Sequence, residues 1–287
     1  FAHQPVTLGL VYGDPVQLAA HRRVYTWAPL CAAAAVALGL SISLGLVAAI
    51  GGLWNAEHTL MQRYGVLRIY GRKAGDDHGR IEKPMFLVWL ITGLAFVGAY
   101  VDIDGLVLKL GLDDTNRRSL HNLDRVHSVA VVLFWLGAVA SVAFAVRWWR
   151  AERAFGRISI AKHLYALGTL CIVVTVMLDP IAGFAGYVAA HSIEYFAVVH
   201  HSLRTRRDDA PVAVATATRS RRLAVYVLYG AFIATVVVVL GSVLDGRLYG
   251  YAILLFGALH FIYDGFVWKL RRPNVAASLG IVAPTLG

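Results

Sequence analysis

Long apolar runs, separated by short charged segments, dominate the chain. Seven of them read as membrane-spanning helices. They cover about Trp27–Trp54, Met85–Val101, Val126–Trp149, His163–Leu178, Pro180–Leu203, Leu223–Leu244 and Leu248–Trp268. At about 1.5 Å rise per residue, about 20 residues cross the hydrocarbon core. Punctuation supports the divisions. Pro84 is a favourable first helical residue, and Asp179-Pro180 stops the fourth run and opens the fifth. Trp148-Trp149-Arg150 has the composition of an interfacial anchor. The first run passes into Asn55–Tyr64 without a breaker, so its helix is expected to continue beyond the bilayer. The predicted fold is all-α: a polytopic membrane helical bundle of about seven transmembrane helices, forming one membrane domain over residues 1–287. Residues 1–25 are expected as an extramembrane arm and 204–222 as a cytoplasmic loop. The polar segment Asp102–Arg125 is expected outside the bilayer core, with Leu106–Leu112 lying in the interface.

Composition agrees with this pattern. Of the 287 residues, 58 % are hydrophobic and 15 % charged, and mean hydropathy is +0.63. Ordinary soluble domains carry about 45–50 % apolar and about 25 % charged residues. The net charge of +10 does not point to nucleic acid, because no basic face with interleaved aromatics occurs. The cations fall between the apolar runs instead. With seven spans, 20 Lys and Arg lie on one side and 7 on the other. The positive-inside rule then places the amino terminus outside and the carboxyl terminus in the cytoplasm, in a bacterial inner or cytoplasmic membrane. Cys31 and Cys171 lie singly inside apolar runs, with no disulfide or CxxC pattern, and are expected as small buried packing residues.

Candidate chemistry centres on His191-Ser-Ile-Glu-Tyr-Phe-Ala-Val-Val-His-His201, inside the fifth run. Ionisable groups are expensive in hydrocarbon and mark function there. At about 100° per residue, His191, Glu194 and His201 share one helix face, while His200 points away. The seventh run adds His260 and Asp264, one turn apart, and the first adds His58, four residues before Gln62. Histidine with carboxylate is ligand chemistry for zinc or non-haem iron. A deeper layer of His191, Glu194, His260 and Asp264 and a shallower one of His58, His200, His201 and His163 are expected. Glu194 and Asp264 either bind metal or orient ligand histidines. Tyr195 or Tyr263 could supply a proton. His78 is expected in a solvated loop and His163 at the interface, and His121 and His127 fall on the opposite side from these layers.

The stretch Glu194-Tyr195 followed by His200-His201 resembles a histidine box of the integral-membrane di-iron desaturases, hydroxylases and alkane monooxygenases. Their HxxxH and HxxHH boxes are absent, and the likeness covers about one helix. The resemblance implies iron, two ions included, on His191, Glu194, His200, His201 and His260, to which the residue pattern adds His58 and Asp264 as metal ligands. It implies an oxidoreductase acting on a lipophilic substrate drawn from the lipid bilayer, with an electron-donor protein as partner. Zinc or haem b are alternative cofactors. A haem-b or quinone electron-transfer protein and a proton-coupled transporter using His–carboxylate pairs are the other readings left open.

Overall fold

The computed structural model describes residues 3–103, 105–106, 127–205 and 222–281. The expected interfacial piece beyond Leu106, His121, and most of the loop 204–222 lie outside the described residues. Among the described residues every regular element is a helix. In chain order these are α1 (Gln4–Tyr12), α2 (Pro15–Ala20), α3 (Arg22–Ile42), α4 (Leu44–Ala74), α5 (Gly79–Tyr100) and α6 (His127–Phe155). There follow α7 (Ile160–Leu178), α8 (Pro180–Thr205), α9 (Arg222–Val243), α10 (Gly246–Val267) and α11 (Pro273–Ser278).

Five of these helices, α3, α5, α6, α7 and α10, are long and apolar enough to cross a membrane. A shorter apolar stretch, Val227–Val243, lies in α9. Their outer faces suit lipid. On α6, Val132, Leu133, Trp135, Leu136, Val139 and Val142 are all exposed. Both cysteines, expected as buried, are exposed as well. In a helix that presents apolar side chains outward, an apolar neighbourhood in sequence does not mean an interior position.

The run Trp27–Trp54, which reads as one span, is two helices. Ser43 breaks it in extended backbone (φ −164°, ψ 122°), and its hydroxyl accepts from Leu46 N at 3.2 Å. Small and hydroxyl-bearing residues (Gly39, Ser41, Ser43, Gly45) make the break cheap, because Ser competes for backbone donors and favours a cap. The helix α4 then runs 31 residues to a left-handed Gly75 (φ 86°), past the expected end of the bilayer core.

The chain folds as two compact units rather than one. The first comprises residues 1–42 and 192–287, the second residues 43–191. The boundary falls inside α8, between His191 and Ser192. In the second unit α5 packs against α6, α7 and α4. Gly137 permits this at α6, since a Cβ there would overlap the Thr92 hydroxyl. Leu60, Leu67, Met85, Phe86, Trp89, Trp148 and Val173 fill the core. In the first unit α10 packs against α3 and α1. Leu10, Val11, Tyr25, Tyr195, Val199, Leu203, Leu259, Tyr263 and Val267 form its core.

One end of the second unit is closed by a buried charge cluster. Lys162 Nζ of α7 lies 2.7 Å from Asp76 Oδ2 and 2.5 Å from both Glu82 Oε1 and Glu152 Oε1. Arg68 Nη1 of α4 reaches Asp76 Oδ1 and Glu82 Oε2 at 2.7 Å each. His78, expected as solvated, is partly buried with its Nδ1 2.6 Å from Glu152 Oε1. His163 keeps a partly exposed ring, with Nδ1 2.9 Å from Ser159 O. Three carboxylates thus enclose one ammonium, the position a metal ion would otherwise take.

Burial pushes the Asp76 carboxyl up, but hydrogen bonds from Lys162, Arg68 and the His78 backbone outweigh it and hold the group at about 2. A depressed folded value stabilises the fold above the ordinary 3.8, and that contribution is lost as pH falls from about 4 towards 2. Asp76→Asn should therefore cost about 2 kcal/mol at neutral pH and flatten the acid limb of the stability curve. Unfolding of the purified protein in detergent, followed against pH, checks this; identical acid limbs in both proteins would contradict it.

Candidate functional site

The first unit holds a fully interior polar network built from both ends of the chain. The helix α1 supplies His3 at its N-cap and Thr7 one turn later; α10 supplies His260 and Asp264, again one turn apart. The helix α8 supplies Ser192 and Tyr195. His3, Thr7, Tyr195 and His260 are at most 2 % exposed and Asp264 is 7 % exposed. The arm expected at 1–25 is therefore packed into the unit. Its inward residues His3, Gln4, Thr7, Leu10 and Val11 follow the three-and-four spacing of a helix face.

The Thr7 hydroxyl is the hub. Its Oγ1 lies 2.7 Å from His260 Nδ1, 2.6 Å from Tyr195 Oη and 3.2 Å from Asp264 Oδ1. Tyr195 donates to Asp264 Oδ1 at 3.1 Å and accepts from Trp268 Nε1 at 3.4 Å. His3 Nδ1 lies 2.8 Å from Ser192 Oγ. Each imidazole thus meets a hydroxyl through Nδ1. The Nε2 atoms of His3 and His260 then face one another at 3.1 Å, and Asp264 Oδ2 stands 3.7 Å from His260 Nε2. The sequence leaves Asp264 either to bind metal or to orient a ligand histidine; at His260 Nδ1 the neighbour is Thr7, whose hydroxyl also donates to Asp264 Oδ1.

Compared with family models, curated proteins and solved structures, the chain matches none of them.

The other expected site residues separate by unit. In the second unit His58 of α4 and His191 of α8 stand edge to face, ring centroids 5.3 Å apart at 84°. Gln62, one turn after His58, donates from Nε2 to His191 O at 3.1 Å. The expected layers put His58 shallower than His191, yet the two rings are neighbours. The buried stripe of α8 runs through His191, Tyr195, Val199, Ser202 and Leu203. Glu194 and His200 are half-buried on its flanks and His201 is exposed, so His201 does not share the buried face with His191. A wheel at 100° per residue finds residues that share a face, but not which face goes inward. Tyr263 is buried in a separate tyrosine cluster, its Oη 2.7 Å from Tyr12 Oη and 3.4 Å from Tyr25 O. It lies apart from the His260 network, whereas Tyr195 belongs to it.

His3 and Thr7 are not singled out by the sequence pattern of the long runs. The signal that marks them is their i, i+4 spacing in line with Leu10 and Val11, which defines one inward face. Thr7→Val keeps the shape but removes the hydroxyl from three buried partners. Each buried polar group left unsatisfied costs about 1–3 kcal/mol. The variant should unfold well below the parent temperature, while Thr7→Ser should recover most of the loss. Equal melting temperatures for Thr7→Val and parent would show the network to be energetically idle.

Proposed function

We propose that the protein is a membrane-embedded, metal-dependent oxidoreductase acting on a lipophilic substrate, with non-haem iron held by His3, His260 and Asp264. The observation that carries this reading is the pair of imidazole Nε2 atoms 3.1 Å apart, each backed by a hydroxyl at Nδ1. Ligands on one ion at about 2.1 Å lie about 3.0 Å apart at right angles and about 3.4 Å apart in a tetrahedron. The observed spacing suits either. Two histidines with one carboxylate form the donor set of non-haem iron oxygenases. A haem is a poorer fit, because trans axial nitrogens at about 2.0 Å from iron stand about 4 Å apart.

Iron bound here would supply oxygen activation. The chain's own residues do the rest. Thr7 and Ser192 hold the two rings in one orientation by accepting Nδ1–H, which directs both Nε2 lone pairs to the same point. Tyr195 Oη and Thr7 Oγ1 can pass a proton to Asp264 Oδ1. Core packing by Leu10, Val11, Val199 and Leu259 keeps water away. The apolar outer faces of α3 and α10 suit entry of a lipophilic substrate from the bilayer, with reducing equivalents from a donor protein. The hydrogen-bonded run His260–Thr7–Tyr195–Asp264 also suits a proton relay, the chemistry of a coupled transporter. That second reading requires no stoichiometric metal.

Metal content of the purified protein separates the two readings. The parent should carry iron. His3→Ala and Asp264→Asn should lower it, with second-shell losses of about 10–100-fold in affinity as the lower bound. His127→Ala, on an exposed residue of α6, should not. Folding is checked by thermal unfolding alongside. Full iron in folded His3→Ala and Asp264→Asn would sink the proposal.

The charge split further supports an outside amino terminus and a cytoplasmic carboxyl terminus. Reporters fused after Lys73 and after Arg272 should report cytoplasm, and one after Asp102 the exterior. A cytoplasmic signal after Asp102 would overturn this topology.

A further inference from the structure

We infer that the second unit carries a metal site of its own, formed by His58 and Gln62 of α4 and His191 of α8, for a divalent first-row transition ion. Three features of these residues lead there. First, the two imidazoles meet edge to face at 5.3 Å between centroids, and His191 is fully buried. Second, His58 Nε2, Gln62 Oε1 and His191 Nδ1 are all closed off from solvent. Third, the Gln62 amide is oriented. Its Nε2 donates to His191 O, which makes the remaining atom Oε1 an acceptor, and Oε1 has no hydrogen-bond donor among the described residues.

A buried carbonyl oxygen without a donor costs about 1–3 kcal/mol, which a packing residue such as Leu would avoid. A Lewis acid answers that oxygen as a proton donor would. His58 and Gln62 are four apart on one helix and so present their donors on one face. Two imidazoles and an amide oxygen suit borderline divalent ions, not calcium or magnesium, which prefer oxygen sets. The nearest cation along α4, Arg63, is turned to α7, with Nε bonded to Thr169 Oγ1 at 3.0 Å and the guanidinium over the Tyr165 ring. Glu57 is exposed. All three ligands are neutral. A bound ion of that kind acidifies a coordinated water strongly. The site would thus supply hydroxide or hold an anionic oxygen.

The test counts ions on the full chain, purified in detergent, stripped with a chelator and reloaded with Zn²⁺ or Co²⁺ alone. The parent should bind two ions per chain. Gln62→Leu and His58→Ala should each bind one, with Zn²⁺ affinity at the lost site reduced by at least about 10–100-fold. Gln62→Glu keeps an oxygen ligand and should restore two. Co²⁺ absorption should lose one component in Gln62→Leu and regain it in Gln62→Glu. Should Gln62→Leu not fold, His58→Gln is the substitute, with unfolding temperatures measured for every variant. An ion count unchanged from the parent in folded Gln62→Leu or His58→Gln would overturn the inference, as would a parent that binds none. If a buried water satisfies Gln62 instead, the Zn²⁺ count stays untouched by Gln62→Leu and the inference falls in the same way. Asp264→Asn is the control for the site on α10. Loss there with retention in Gln62→Leu removes this inference and leaves the proposed function standing. Loss in Gln62→Leu with retention in Asp264→Asn does the reverse.

Discussion

Neither lipid nor a packed apolar core can hydrate an ionisable side chain, and this constraint organises both units. A buried charge that finds no partner costs far more than any packing gain returns. The two units answer in different ways. In the second, Lys162 sits among Asp76, Glu82 and Glu152, with Arg68 and His78 at the edge. Full charges are matched there by opposite full charges. In the first, Asp264 faces Thr7 and Tyr195, and its Oδ2 stands 3.7 Å from His260 Nε2. Hydroxyls meet the Nδ1 atoms of both its imidazoles. The charge cluster of the second unit stabilises and fixes helix ends. The hydroxyl network of the first leaves proton positions negotiable, which is what a site needs if it binds a cation or moves a proton.

The difference also separates clusters whose charges are already matched from those with room for a cation. Asp76, His78, Glu82 and Glu152 converge closely enough to hold an ion. An ammonium already occupies their centre, so the cluster is satisfied as it stands. His3 and His260 converge nitrogen to nitrogen, where two lone pairs repel unless a proton or a metal ion lies between them. Two glutamines divide on the same ground. The Gln62 oxygen meets no donor among the described residues, whereas the Gln17 amide donates to Tyr25 Oη at 2.8 Å.

The helical, membrane-compatible fold was legible because hydrophobic runs and their punctuation are local signals. Asp179-Pro180 divides α7 from α8 as expected, and α10 covers most of the last run. His260 and Asp264 were legible as neighbours because one turn of helix joins them. What escaped was everything that depends on distant pairing. Lys162, Glu82 and Glu152 lie on three different helices and meet only when these pack together. The break at Ser43 escaped because Gly and Ser inside an apolar run lower helix propensity without forbidding a helix. His3 escaped because a short polar segment before the first long run reads as an arm, and only the partner on α10 shows otherwise.

The pairing of α1 with α10 also constrains assembly. His3 and His260 are 257 residues apart in sequence, and Thr7 and Asp264 likewise 257. No local segment can form the network, and it cannot exist before α10 has been made. Closing so long a loop carries a large entropic cost, which grows only slowly with length once the loop is long. Leu10 and Val11 share an apolar cluster with Leu259 and Tyr263, whose burial is available to offset it. The polar groups therefore need not drive the closure; packing does, and the network is selected by having partners ready when α1 arrives. A cation bound between His3 and His260 would add its binding free energy to that same closure, since the unfolded chain offers no preformed site. Folding of the chain's two ends and closure of the network are then one event.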